Sequence, residues 1–316
     1  MAQKNDNVCF RTSIGGQALM EGILMRGPEK QSIVCRTENG LVEKVEPLNL
    51  VKDRYPVLGW PFIRGVVIFL DSMVKGMRAL TYSASLLPEG QQEEPSRFDR
   101  WIEKKIGSEK AEKVIIGAAA VLGVLLALAL FIFLPTMIAG FIPALEGHYT
   151  ARSLVEGAIK IVIFLVYLGL VARMKEMRRL FGYHGAEHKT IFCYEKGLPL
   201  TVENVRPQSR FHPRCGTSFL LVVIILGLFV GLLIQVDNTL LRIALRLLLL
   251  PLIVSVAYEL NRWAGRHDKN IVSRVVTWPG KQLQRLTTNE PDDGMIECAI
   301  RAMELVIPEE KGKDAW

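Results

Sequence analysis

Histidine and cysteine are scarce in this chain of 316 residues, with only five of each. The cysteines, Cys9, Cys35, Cys193, Cys215 and Cys298, are odd in number and widely spaced, which argues against a disulfide framework and suits free thiols or metal ligands. No internal repeat and no low-complexity tract is present, so a repeat architecture is excluded. The glycine-rich stretch near the start lacks the Gly-Lys-Ser/Thr ending of a P-loop. No RNA-binding motif accompanies the net charge of +7. Residues 1–13 are polar, so no cleavable signal peptide is expected at the start.

Apolar sequence, by contrast, is abundant and concentrated. Half of the residues are hydrophobic. Four apolar runs, at 114–143, 154–172, 217–236 and 239–260, each approach or exceed the ~20 residues that cross a hydrocarbon core. Four transmembrane helices are expected. Before the first run stand Arg97, Arg100, Lys104, Lys105, Lys110 and Lys113; the 173–216 connection carries Arg173, Lys175, Arg178, Arg179, Lys189, Lys196, Arg206, Arg210 and Arg214; the tail opens with Arg262, Arg266 and Lys269. The 144–153 turn offers only Arg152 and the 237–238 turn no cation at all, so the positive-inside rule places both termini and the long connection in the cytoplasm. The basic balance is then a topology signal and an attraction to anionic lipid headgroups, with the bilayer itself as the first expected partner.

The expected fold class is a four-helix transmembrane bundle carrying an α+β cytosolic module. Residues 1–113 form its β-rich first part, 173–216 a motif-bearing loop between spans 114–172 and 217–260, and 261–316 a tail. Gln31–Thr37 and 41–45 read as strands around Glu38-Asn39-Gly40, a strong hairpin signal. From Trp60 to about residue 87 the periodicity becomes helical, with Arg64, Asp71, Lys75, Arg78 and Tyr82 on one arc and an apolar remainder. Such a helix lies in the membrane interface, packs on the spans, or fills the core of the cytosolic domain; the pattern alone leaves these open. Residues 88–97 read as a linker, 261–286 as a basic segment broken at Trp278-Pro279-Gly280, and 292–306 as a final helix.

Two of the five histidines fall in one pentad, His184-Gly185-Ala186-Glu187-His188. Histidines at i and i+4 on a helix point the same way, so both imidazoles can meet one Zn²⁺, with Glu187 near enough to act as general base on water. This H-x-x-E-H spacing is the inverted zincin pattern. Gly182 and Gly185 weaken a helix here, and two histidines held for packing or phosphate contact are the competing reading. Topology brings two further groups to the same membrane face. His212 and Cys215, at i and i+3, precede the third span, and Glu259 closes the fourth, so the third ligand is expected to be Cys215 or His212, with Glu259 as a carboxylate alternative. Arg214 lies between the first two. The 14–28 stretch reads as a structural turn, with Glu21 and Arg26 as its functional candidates. Within the apolar runs, Glu156 and Arg246 lie at similar depth and form a candidate pair that holds the spans together, the alternative being a polar substrate pocket.

At Gly15-Gly16-Gln17-Ala18-Leu19-Met20-Glu21-Gly22 with Met25-Arg26-Gly27-Pro28, at Tyr183-His184-Gly185-Ala186-Glu187-His188-Lys189, and at Phe211-His212-Pro213-Arg214-Cys215-Gly216-Thr217-Ser218-Phe219, the chain resembles the YqhQ-like family of bacterial multi-pass membrane proteins. That resemblance spans about 10–290 and implies a location in the bacterial cell membrane and metal-dependent chemistry. The expected function is a zinc-dependent hydrolase at the cytosolic membrane surface. Its rival is a non-enzymatic scaffold for membrane-protein biogenesis, whose basic face would meet a membrane protein or another acidic partner. A transporter has less support, because no pair of interrupted repeats is visible. Reporter fusions test the topology: those at 148 and 237 should read external, and those at 100, 195 and 300 cytoplasmic, whereas an external reading at 195 would invert the assignment.

Overall fold

The computed structural model describes residues 10–49, 51–88, 97–267, 270–310 and 312–315. Cys9, Lys269 and most of the expected 88–97 linker lie outside the described residues. The chain divides into two compact units, one made of Met1–Glu89, Leu168–Val223 and Leu252–Trp316, the other of Gly90–Tyr167 and Ile224–Pro251.

The first unit is built on an antiparallel sheet of order β1-β2-β3-β4, with β1 Gly15–Leu19, β2 Gly22–Arg26, β3 Lys30–Thr37 and β4 Gly40–Pro47. The expected hairpin is present, with Thr37 opposite Gly40 and Gly40 at φ +113°. The 14–28 stretch, read from sequence as a turn, is instead two paired strands joined through Met20 and Glu21. Its glycines serve close approach within a sheet, which leaves no period-2 apolar signal for sequence to show. Glu21 takes the left-handed φ of +47° that this tight connection demands.

Side chains alternate across the strands, so the sheet serves two cores. Ala18, Ile23, Met25 and Val34 face α7 (Lys175–Glu195) and α12 (Asp293–Glu304), meeting Tyr183, Ala186, Ile296 and Ala299. Leu19, Leu24, Ile33 and Cys35 face α2 (Arg64–Ser85) and meet Ala79, with Leu80, Tyr82 and Leu86 alongside. The outer strand β4 is mostly exposed and carries Glu43, Lys44 and Glu46, charges that discourage edge pairing.

The helix expected at 60–87 therefore packs in the core, but not by its wide apolar face. It buries the small residues Gly65, Gly76, Ala79 and Ser83 and leaves Leu70, Met73 and Val74 exposed. A Cβ at Gly65 would come within 2.8 Å of Ser255 Cα, and one at Gly76 would collide with the Gln17 side chain. Close approach, not apolar area, selected this face.

α1 (Val51–Arg54) precedes α2; α3 (Arg97–Ile106) and α4 (Ser108–Leu128) follow. The run continues through a π-helical turn at Ala129–Phe133 into α5 (Leu134–Gly140), then α6 (Tyr149–Val171), α7, the single turn α8 (Val202–Val205), α9 (Gly216–Leu233) and α10 (Thr239–Arg266). Among the described residues, four helices are long and apolar enough to cross a membrane: Val114–Gly140, Tyr149–Val171, Gly216–Leu233 and Thr239–Arg266. They match the four apolar runs to within a few residues at most ends, the fourth extending on to Arg266. The tail corrects the sequence reading: Trp278-Pro279-Gly280 does not break the chain but lies inside α11 (Ile271–Thr287). The carbonyl that loses its partner to Pro279 belongs to exposed Val275, while Gly280 lets the backbone close on Ser218, whose side chain a Cβ would strike.

In the second unit Glu156 is fully buried amid three arginines. Arg246 contacts one carboxylate oxygen and donates to Thr136; Arg242 Nε lies 3.1 Å from the other oxygen and Arg152 Nε 3.5 Å from it. Arg242, wholly buried, also donates to the carbonyls of Ile234, at 2.9 Å, and Val236, near the open end of α9. The expected partner Arg246 is thus one of three, and the carboxylate is their common counter-charge. Replacing Glu156 with Gln should destabilise the protein by about 3–5 kcal/mol, because it leaves buried cations uncompensated. Thermal unfolding in detergent checks this, and an unchanged transition would contradict it.

Candidate metal centre

α7 is helical through the pentad despite its two glycines, and the reason is packing. A Cβ at Gly182 would press on Met295 Sδ at 2.7 Å, and one at Gly185 would collide with the carbonyl oxygen of Asn289. The 287–289 main chain lies against α7: Asn289 N donates to Phe181 O at 2.8 Å, and Asn289 Nδ2 donates to Arg178 O at 2.9 Å. Glycine costs ~1 kcal/mol of helix propensity, which this close approach repays.

The same contact orients the histidines. His184 Nδ1 pairs with Thr287 O at 2.8 Å, and His188 Nδ1 pairs with Arg210 O at 2.6 Å. With each Nδ1–H spent on a main-chain carbonyl, each Nε2 is left facing the site, as the acceptor atom when its ring is neutral and as a donor when the ring is charged. Cys215, the residue before α9, fills the space between them, its Sγ 3.2 Å from His184 Nε2. One ligand atom each from His184, His188 and Cys215 lies within 4.8 Å of the other two, a set able to hold a metal ion. His188 and Cys215 are buried, and His184 keeps a partial opening.

Charge follows from this proximity. Burial alone would raise the Cys215 thiol, but the two imidazoles outweigh it and hold it well below the ordinary value. Burial alone would lower His184, but Cys215 beside it raises the ring to about 9. Glu187 points into the same site. Its Oε1 accepts from Gly16 N at 3.0 Å, and its buried Oε2 has no partner. Burial raises its carboxyl above the usual range, against the opposing pull of His184 and His188.

Other sequence candidates fall around this set, not in it. His212 stacks near His188, with ring centroids 5.5 Å apart, but is not part of the ligand cluster. Its main chain is gripped by Gln284, Oε1 accepting from His212 N at 2.7 Å and Nε2 donating to His212 O at 2.8 Å. Burial lowers its ring to about 4, so its 3.9 Å approach to Glu195 is made as a neutral group and is not an ion pair. Arg214 contacts Glu195 directly. Glu259, the expected carboxylate alternative, is taken by Arg64, with Nε–Oε1 2.6 Å and Nη2–Oε2 2.5 Å. Glu21 receives both edges of Arg179 at 2.5 Å and the Tyr183 hydroxyl at 3.1 Å, which pins the β1–β2 turn to α7 one turn before His184. Burial would raise its carboxyl, but Arg179 outweighs this and holds it low. Arg26 donates to Ser72 at 3.1 Å and lines a cavity of about 600 Å³. His184, Glu187, His188 and Cys215 line the same cavity, and Val67 and Ile68 of α2 add apolar wall.

Sequence reading missed Gly16 N, Thr287 O, Arg210 O, Gln284 and Glu195. Main-chain groups carry no residue signature, and Gln284 and Glu195 sit outside any recognisable motif.

The chain matches the family model described as protein of unknown function (DUF1385) over residues 60–309. It is also similar to the protein named "Uncharacterized protein YqhQ" of Bacillus subtilis (strain 168), 32% identical over 295 residues that cover 91% of this chain and 90% of that one. No solved structure matches. Gly185→Ala tests the packing account. It should displace the 287–289 segment from α7 and cost about 2–4 kcal/mol, whereas Gly117→Ala, with open space at its Cβ, should be nearly neutral. Equal thermal stability of the two variants would refute it.

Proposed function

This chain belongs to the DUF1385 family, and we propose that it is a zinc-dependent hydrolase acting at the cytosolic surface of the membrane its four apolar helices would cross. The observation that carries the reading is the pair of Nδ1–carbonyl bonds, which leaves two Nε2 atoms beside a cysteine sulfur. The donor set fits the ion. Zinc takes imidazole nitrogen at about 2.0–2.1 Å and thiolate at about 2.3 Å in a tetrahedron, and a sulfur 3.2 Å from a ring nitrogen suits one edge of it. Three protein ligands with a cavity beside them match the catalytic, open type of site and not the closed structural type.

Bound there, Zn²⁺ would supply Lewis acidity toward a substrate oxygen and would acidify water. The remaining work falls to the chain. Gly16 N fixes one oxygen of Glu187, so the other is held at a set position to take and return a proton. Burial raises that carboxyl above the ordinary carboxylate range, which makes it a stronger base than a solvated glutamate. Thr287 O and Arg210 O hold the ligand rings in one tautomer, and the walls from β1, β2 and α2 limit water around the reacting group.

Purified protein should retain about one equivalent of zinc, and His188→Ala or Cys215→Ala should lose it. Glu187→Gln should keep the metal while any function falls roughly 10²–10⁴-fold. Full complementation of a deletion phenotype by Glu187→Gln, with His188→Ala failing, would assign the metal a structural role and favour the scaffold reading. Folded protein that carries no metal would remove the site.

A further inference from the structure

α11 is two-sided. Its inner face is made of Ser273, Thr277, Gly280, Leu283, Gln284 and Thr287, all buried. There it grips the rest of the unit: Gly280 closes on Ser218 in the first turn of α9, and Gln284 Nε2 donates to Ser218 Oγ at 3.2 Å. Among the described residues, little covers the outer face. Ile271 is 75% exposed, Val275 66% and Trp278 62%, with Val272 and Leu286 also exposed. At 100° per residue these five fall within an arc of about 120°. Water is a poor solvent for a contiguous patch of this kind, and one of its edges is cationic. Arg274, Lys281 and Arg285 line the arc on its Trp278 side, and from 270 to 289 there is no acidic residue.

Placement narrows the occupant. α11 starts four residues after α10 ends at Arg266, and its middle is packed on the first turn of α9. Both partners are helices long and apolar enough to cross a membrane, and α11 meets the N-terminal end of one and follows the C-terminal end of the other. Where those ends reach a bilayer surface, α11 is anchored beside it. An apolar arc with tryptophan, bordered by arginine and lysine, is the chemistry of an interfacial helix on anionic lipid.

We propose that α11 docks its Ile271–Val275–Trp278 face into an anionic lipid surface. The proposal rests on the spans crossing a bilayer and is independent of the metal. Lipid acyl chains cover the apolar arc, and Arg274, Lys281 and Arg285 meet headgroup phosphates.

The test uses the full chain in nanodiscs with a nitroxide at Val275→Cys, in a Cys9→Ser background; Cys35, Cys193, Cys215 and Cys298 are buried. Collision with oxygen, which concentrates in lipid, is compared with collision with a water-soluble nickel chelate. In discs of phosphatidylcholine with phosphatidylglycerol the label should meet oxygen freely and the chelate little. That preference should be lost when Arg274, Lys281 and Arg285 are changed together to Gln. Free collision with the chelate in anionic discs would put the face in water and overturn the proposal. Exclusion of both reagents would overturn it in favour of a protein partner or a second copy. Retention of the full preference in the triple variant would overturn the role given to the basic residues.

Discussion

The main chain at 287–289, pressed against a helix that has no side chain at Gly185, is the contact on which the rest of the site depends. From that stretch Thr287 O takes His184 Nδ1, Asn289 caps two carbonyls of α7, and Thr288 O accepts from Arg210 Nη1 at 2.9 Å. Arg210 in turn presents its own carbonyl to His188. One short extended segment therefore fixes both rings, the first directly and the second through the loop before α9. Any side chain at Gly185 would push this segment off. A helix former there would improve α7 as a helix and displace the segment that orients His184, a case where local propensity and tertiary packing point in opposite directions.

Electrostatics explains why so many polar groups tolerate burial together. Cys215 as thiolate and Glu187 as carboxylate would be costly neighbours in an apolar interior, and the two imidazoles only partly offset them. A divalent cation among His184, His188 and Cys215 would balance the thiolate and leave Glu187 as a retained charge facing the cavity. The adjoining Glu195 is closed off by Arg214 and by Thr12 N, which donates to it at 3.0 Å, with His212 held neutral beside it. That closure explains why His212 stands next to the ligand cluster without joining it, although its spacing from Cys215 made it an equal candidate in sequence.

What was legible in the sequence was whatever has a period or a motif. The four apolar helices, the Glu38-Asn39-Gly40 hairpin, the pentad and Cys215 all declare themselves through spacing. Hidden were the features set by close approach of backbones. The strands β1 and β2 looked like a glycine-rich turn because their glycines admit Glu187 and β3, and α2 buries a line of glycine, alanine and serine that hydrophobicity cannot mark. Pro279 suggested a break because sequence reading prices the lost hydrogen bond but does not see that the proline is on the uncovered side of α11. Glu259 illustrates the limit of topology: it reached the expected region of the chain, yet Arg64 of α2 had already claimed it.

α11 links the ligand cluster to the exposed apolar face. Gln284 and Thr287, on its inner face, hold the backbone of His212 and the ring of His184, while Val275 and Trp278 lie on the opposite side two to three turns earlier. A rigid helix fixes the distance between those two faces. If the outer face sits in headgroups, the ligand cluster stands about one helix diameter, roughly 10 Å, inward of the lipid surface, and the cavity wall formed by Val67 and Ile68 belongs to a helix that itself touches α9 through Phe69 and Phe219, 5.9 Å apart. Under the hydrolase reading proposed above, such an arrangement would favour a substrate with an apolar portion kept near lipid and a polar portion brought to the histidines.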